Sequence, residues 1–451
     1  MRKKFDTQPM FSNQMLVRLI IPLVLEQLLA VTVGMADTVM VASVGEAAVS
    51  AISLVDQINI LLIQLFAALA TGGAVVASQY LGRRDYKNAC AAANQLLYAT
   101  LFTSLAITAV ALVANRALLV LVFGGVSEDI MANCVVYFWL SALSYPFLAV
   151  YNAGAALFRS MGNSKVSLFA SLLMNLINIG GNALLIYGFK MGVAGAATAS
   201  LVARMAAAVI MLVLLNRPAN PVHFEALHKV HFIGSMQRSI LRVGIPNGIE
   251  SAMFQIGKLL VASLVASLGL AATTANAITN TIASIVNVPG SALGLAMVTV
   301  VGQCVGARDY AQARWYTKRM MLWAHMGMTA LSAVVWVAAP ILLGVFDPSP
   351  ETYRMAMDVL AIFCVANVFF WPASFALPNA LRAAGDARYS MMVSMISMWI
   401  FRVAMSYVLA LSGLGLVGVW LAMVLDWILR GACFVWRMAR GKWEKARVLE
   451  N

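Results

Sequence analysis

The chain is a succession of long apolar runs separated by short polar connections. The runs are roughly 25 residues each, longer than the ~20 that carry a helix across a bilayer core. None shows sustained alternation of apolar and polar positions. Each therefore predicts a helix, whose backbone groups are satisfied internally, and not a barrel strand. Spans are expected at approximately 15–43, 50–80, 92–123, 130–159, 166–189, 191–215, 238–268, 274–304, 315–346, 354–382, 389–411 and 413–438, twelve in all. The expected fold class is an all-α polytopic membrane protein.

Composition closes the soluble alternative: 62% of residues are hydrophobic and 11% charged, where soluble domains carry about 25% charged residues. Frequent Gly, Ala and Ser within the runs suit close helix packing in lipid. The net charge of +13 raises nucleic acid as a partner, but its placement removes that reading. Lys and Arg fall in alternate connections, Arg83 to Lys87, Arg159 to Lys165, Arg217 to Arg242, Arg308 to Arg319, Arg382 to Arg388 and the tail from Arg437. This is the positive-inside pattern, and it puts both termini in the cytoplasm. The basic, polar start (Arg2, Lys3, Lys4, Asp6) and the long first run do not read as a signal peptide. Cys90, Cys134, Cys304, Cys364 and Cys433 are widely spaced, with no metal-ligand motif, and read as packing residues.

A repeat organises the whole chain. Residues 22–89 laid on 246–313 without a gap, an offset of 224, give 19 identities in 68 positions. Apolar composition inflates such counts, so the polar and special matches decide: Pro22/Pro246, Glu26/Glu250, Gly45/Gly269, Gln79/Gln303, Gly82/Gly306 and Arg84-Asp85-Tyr86/Arg308-Asp309-Tyr310. At an offset of 223, Leu157 to Asn163 falls on Ala380 to Asp386, and Gly192 and Gly195 fall on Gly415 and Gly418. The expected domains are an N-terminal six-helix lobe (1–220), a cytoplasmic linker (221–240) and a C-terminal six-helix lobe (241–451). An even number of spans per half makes the repeats parallel. Two such bundles forming a V around a central cleft would suit alternating access, or a duplicated scaffold.

Ionisable groups inside a span cost at least ~2.5–3.5 kcal/mol, so each marks a candidate site. Asp37 lies in the first span. Asn175, Asn178 and Asn182 recur at i, i+3 and i+7 and stack on one face of the fifth. Counting at 1.5 Å per residue places Asp37, Asn178, Asn182 and Ser200 of the sixth span at a common depth of ~20–28 Å. One carboxylate, amide oxygens and a hydroxyl form a hard oxygen set, suited to Na⁺ at Asp37 and Asn178 or to a proton on Asp37. Interhelical hydrogen bonding is the other reading of the amides. Glu26 and Glu250, four residues after matched prolines, either face the inner cleft as acidic groups or brace the helices their prolines break. Lys258 is expected to pair with Glu250 or Asp56, and Arg402 with Asp426 as a structural ion pair. Trp371 and Tyr145 are candidates to line a cavity for flat ligands.

The doubled Gln-x-x-Gly-x-Arg-Asp-Tyr segments (79–86 and 303–310), Pro22 to Gly45 with Asp37, Leu157 to Asn163 and Gly192 to Ser200 together resemble the multidrug and toxic compound extrusion (MATE) transporters of bacteria. The likeness covers essentially the whole chain. It implies a cation site in the N-terminal lobe built from a first-span aspartate, an Asn-x-x-x-Asp pair on the fifth span and a hydroxyl on the sixth. Asp37, Asn178 and Ser200 match those positions. Asn182 departs from them, standing where an aspartate is usual, which weakens a Na⁺ site and favours proton coupling through Asp37. The tenth-span aspartate of another branch is absent from Phe369-Phe370-Trp371-Pro372.

The expected function is secondary antiport: export of organic cationic or amphipathic compounds in exchange for H⁺ or Na⁺, by a monomer in the bacterial plasma membrane. Its partners would be small molecules and membrane lipids, with no cofactor beyond the coupling ion. A flippase for lipids or lipid-linked oligosaccharides and a non-transporting receptor or scaffold are the alternatives. No HExxH, Gly-x-Ser-x-Gly or paired-Asp motif within the spans supports an enzyme.

Overall fold

A computed structural model of the chain describes residues 8–225, 231–446 and 448–449, the side chains of residues 35–39 and 42 excepted. The described residues contain helices and no strand. The first half holds α1 (Asn13–Ala42), α2 (Glu46–Gly82), α3 (Tyr86–Val113), α4 (Asn115–Phe123), α5 (Glu128–Ser160), α6 (Ser164–Asn182) and α7 (Gly192–Leu215). The second holds α8 (Gly234–Ser267), α9 (Leu270–Val286), α10 (Val288–Gly306), α11 (Tyr310–Gly344), α12 (Pro350–Trp371), α13 (Leu377–Ala383), α14 (Ala387–Ser397), α15 (Met405–Leu409) and α16 (Gly415–Ala439).

Eleven described helical stretches are long and apolar enough to cross a membrane. One of them, 387–439, is broken at Gly413 and Gly415, whose φ of 100° and 51° belong to the left-handed region that glycine tolerates. It holds two crossings, which gives the twelve predicted. Two spans are less regular than their hydropathy suggests. The run at 92–123 divides at Ala114 into α3 and α4, and the run at 274–304 divides at Asn287 into α9 and α10. Pro289, in the first turn of α10, offers no backbone N–H to continue the preceding helix. Apolar side chains such as Phe102, Val113, Leu121, Val337 and Leu411 stand exposed on the helices, a surface matched to hydrocarbon.

The repeat is reproduced in the turns. Arg84 and Arg308 both have left-handed φ, 59° and 60°. The next residue in each case, Asp85 or Asp309, caps the following helix by accepting the backbone N–H of Asn88 (3.1 Å) or Gln312 (2.9 Å). Gly162 and Gly385, with φ of 80° and 99°, close the ends of α5 and α13. There the N–H groups of Asn163 and Asp386 reach back to the carbonyls of Phe158 and Leu381 at 3.0 and 2.9 Å. The motifs that align in sequence are thus helix stops and starts, where backbone geometry restricts the residue.

The chain forms two compact units, Leu25–Gly248 and Met1–Val24 with Ile249–Asn451. Both boundaries fall inside long helices, α1 and α8, and they too lie 224 residues apart. Within the first unit α2 and α8 approach closely: a Cβ on Gly72 would meet the Ile240 carbonyl at 2.5 Å. In the second unit the segment before α1 is tied to α11. Met10 donates its N–H to Gln312 at 2.8 Å, and Phe11 exchanges two hydrogen bonds with the Tyr316 hydroxyl at 2.9 and 2.8 Å.

Candidate functional site

In the first unit α6 and α7 lie close because small residues face each other: a Cβ on Gly181 would meet that of Ala199 at 2.9 Å. The approach brings the amide ladder of α6 against the hydroxyl of α7. Asn178 Nδ2 donates to Ser200 Oγ at 2.9 Å, and Asn182 Nδ2 donates to Asn178 Oδ1 at 3.4 Å. Both asparagines are buried. Immediately after Asn182 the helix widens into a π-helical segment, Ala183–Gly188, a local geometry frequent at functional sites. Asn175 does not join the chain and donates to Ser171 Oγ at 3.4 Å. Asp37 belongs to α1, but its side chain lies outside the described residues.

A second polar network in the same unit had no counterpart in the sequence reading. Asp56 Oδ1 accepts from Asn59 Nδ2 (2.9 Å) and the Tyr137 hydroxyl (3.2 Å), and the Tyr145 hydroxyl donates to Asn59 Oδ1 (2.7 Å). Arg204, one turn after Ser200 on α7, donates to Ser144 Oγ at 2.5 Å and is near enough to Asp56 to attract it. An arginine in the middle of an apolar run was the available signal. Tyr145 is fully buried in this network and Trp371 is stacked on Phe375 at 4.8 Å. Both lie among packed side chains, Tyr145 with its hydroxyl committed to Asn59.

Glu26 and Glu250 each meet an arginine from the second repeated motif. Arg159 Nη1 lies 3.2 Å from Glu26, whose other oxygen accepts from Ser167 Oγ at 2.7 Å. Arg382 Nη2 lies 2.7 Å from Glu250, and its Nη1 donates to Asn379. Lys258 does not take the partners expected of it: Glu250 goes to Arg382 and Asp56 to Asn59 and Tyr137. The shared helix places Lys258 two turns from Glu250, but Arg382 has the direct line to the carboxylate.

Arg402 and Asp426 do pair, with Nε and Nη2 both 3.0 Å from Oδ2. The structure adds Arg430, 3.5 Å from the same oxygen, and Ser397 Oγ donating to Oδ1 at 2.6 Å. Asp426 is completely buried. The two guanidinium groups also lie over aromatic rings, Arg402 over Phe254 at 5.0 Å and Arg430 over Phe375 at 4.1 Å. Lys258 is close enough to Arg402 to repel it. Arg402 sits in another π-helical segment, Met398–Ala404.

A profile of the MatE family matches residues 22–184 and again 246–408, two segments offset by the same 224 residues. An uncharacterized transporter, YisQ, of Bacillus subtilis is 29% identical over 399 residues, covering 86% of this chain and 85% of its own. A probable multidrug resistance protein NorM of Thermotoga maritima is 24% identical over 445 residues, 96% of this chain and 94% of its own. Among solved structures, a MATE protein in the bent conformation superposes with a TM-score of 0.87 at 21% identity, covering 95% of this chain and 96% of that one. A second, from Pyrococcus furiosus, superposes with a TM-score of 0.88 at 21% identity, covering 96% and 97%. It is described as a transporter of the MOP superfamily whose binding pocket has reverse polarity, suggesting a different function. The twelve crossings, the doubled turns and a profile that matches each repeat in turn agree, and the chain belongs to the MatE family of multi-pass membrane transporters.

Proposed function

We propose that the protein is a secondary antiporter of the bacterial plasma membrane. It exports organic cationic or amphipathic compounds against an inward flow of H⁺ or Na⁺, works as a monomer, and keeps both termini in the cytoplasm. The observation that carries this reading is the buried chain Asn182–Asn178–Ser200 inside one unit. Its amide oxygens and hydroxyl are the neutral partners that a cation or a protonated carboxylate from Asp37 would need. The second repeat has Val261 at the position of Asp37, so a coupling site of this kind belongs to the first repeat alone. Binding of the ion to one conformer more than the other would shift the population between inward-facing and outward-facing states. The deciding measurement is efflux of a fluorescent organic cation from proteoliposomes, with H⁺ and Na⁺ gradients imposed separately. Asp37→Asn should abolish the gradient dependence, and export by this variant at the wild-type rate would overturn the assignment.

A second reading is favoured by one observation, the charge balance around Asp426. Arg402 and Arg430 share a single carboxylate, leaving a surplus of one positive charge beside Phe254 and Phe375, and Lys258 adds a further cation near Arg402. Such a surround suits an acidic aromatic or phosphorylated compound, a lipid head group included. Inhibition of cation efflux by neutral but not by anionic aromatics would remove it.

A further inference from the structure

The segment that joins the repeats lies against α3, and its side chains at 222–225 alternate between buried and more exposed. Val222 and Phe224 turn inward and are buried, and Phe224 donates its N–H to the Leu215 carbonyl at 2.8 Å. His223 and Glu225 turn the other way, toward Cys90 near the start of α3. The reactive atoms of Cys90, His223 and Glu225 all lie within 4.8 Å of one another.

The backbone under these three residues is held in place. Asn94, one turn beyond Cys90, donates to the Glu225 carbonyl at 2.7 Å and accepts the Glu225 N–H at 3.3 Å. The His223 N–H points at Cys90 Sγ at 3.5 Å. His223 Nδ1 lies 3.0 Å from the Asn220 carbonyl. A carbonyl has no proton to give, so the contact suits a ring protonated at Nδ1, and in its neutral form such a ring offers the Nε2 lone pair to a ligand. Nε2 is also the nitrogen that faces Glu225 Oε1, at 3.7 Å. Cys90 Sγ lies 3.7 Å from Nδ1 on the same ring, and a ring held by a backbone carbonyl at one nitrogen with the other turned toward a second ligand is the usual condition of a metal-binding histidine.

We propose that Cys90 Sγ, His223 Nε2 and Glu225 form a binding site for a borderline divalent transition metal, with Zn²⁺ as its natural occupant. A thiolate, a neutral imidazole and a carboxylate are all zinc ligands, whereas Mg²⁺ and Ca²⁺ take oxygen sets. Three protein ligands leave the fourth tetrahedral position to water, and loading releases the Cys90 thiol proton to solvent. The bound ion would clasp the inter-repeat segment to α3. The site is independent of the transport reading, since none of its three ligands takes part in the Asn178–Ser200 contact.

The test is a Co²⁺ titration of the purified full-length protein, with its affinity tag removed, followed by absorption spectroscopy. A thiolate-to-cobalt charge-transfer band with tetrahedral d–d bands should grow to a single cobalt per chain and disappear on addition of Zn²⁺. Cys90→Ser should lose the charge-transfer band and Cys433→Ser should keep it. Glu225→Gln, at an exposed position, should weaken cobalt binding by about tenfold or more without changing the melting temperature of the metal-free protein. No band in the wild type, a band retained in Cys90→Ser, or unchanged affinity in Glu225→Gln would each overturn the site.

Discussion

Arg159 reaches back 133 residues along the chain to Glu26, and Arg382 reaches back 132 to Glu250. One repeated motif, the acid four residues after a proline inside the helix, is locked in each half to another, the arginine before a glycine turn. Both pairs are largely shielded from solvent, with side-chain exposures of 11–18%. The ion pair therefore links the start of each repeat to the turn that ends its fourth crossing.

Breaking one of these pairs leaves a buried charge without its partner, a loss of about 3–5 kcal/mol. Glu250→Ala should therefore lower the melting temperature in detergent far more than Arg116→Ala. Arg116 pairs with Glu128 at exposures of 68% and 76%, where a salt bridge contributes about 0–1 kcal/mol. Equal melting temperatures for the two variants would show that the lock contributes no stability.

The two arginines on Asp426 are not equivalent. Arg402 approaches with two nitrogens at 3.0 Å and Arg430 with one at 3.5 Å. Removing Arg430 leaves a one-to-one buried pair, whereas removing Arg402 leaves the carboxylate with its weaker partner. Arg402→Met should be the more destabilising by at least ~1 kcal/mol, in the range of a charge-assisted hydrogen bond. Thermal unfolding of the two single variants checks the order.

Asn182 stands where the resemblance to MATE transporters puts an acid. Asn182→Asp restores that charge within 3.4 Å of Asn178. If the coupling reading holds, the Na⁺ concentration that half-saturates transport should fall by about tenfold, equivalent to ~1.4 kcal/mol of added affinity. Flux against varied Na⁺ at constant pH measures it, and an unchanged or higher half-saturation would count against the site.

Glycines at helix crossings separate packing from propensity. A Cβ on Gly72 meets the Ile240 carbonyl at 2.5 Å and the Gly244 nitrogen at 2.9 Å, backbone atoms that cannot rotate away. Gly72→Ala should cost about 1–3 kcal/mol through overpacking. On α6, Gly180 has nothing within 4 Å, so Gly180→Ala should be neutral or gain up to about 1 kcal/mol of helix propensity. Melting temperatures that move in the same direction would refute the crossing argument.

Much of the fold was legible because its determinants are local. Span length and the absence of alternation specify membrane helices, and the matched Gly, Asp and Arg residues mark turns whose backbone angles few residues adopt. The Asn178–Ser200 contact was legible by counting depth along two neighbouring spans. The Asp56–Tyr137–Asn59–Tyr145 network was not, since hydropathy does not say which neighbour a tyrosine hydroxyl in an apolar run will reach. Cys90 also read as packing, and it acquired neighbours only when a connection more than 130 residues away folded back along α3.

The sequence by itself determined twelve crossings, their duplication at 224 residues and the positions of the buried charges. These follow from the cost of exposing polar groups to lipid and from a repeat that preserves its turns. Only the tertiary structure decided which charge meets which. Glu250 could have faced Lys258 on its own helix, and the packing of α13 against α10 and α16 delivered Arg382 instead. Partner choice in a low-dielectric interior depends on a few ångströms of separation, which the three-dimensional packing of helices sets and their order along the chain does not.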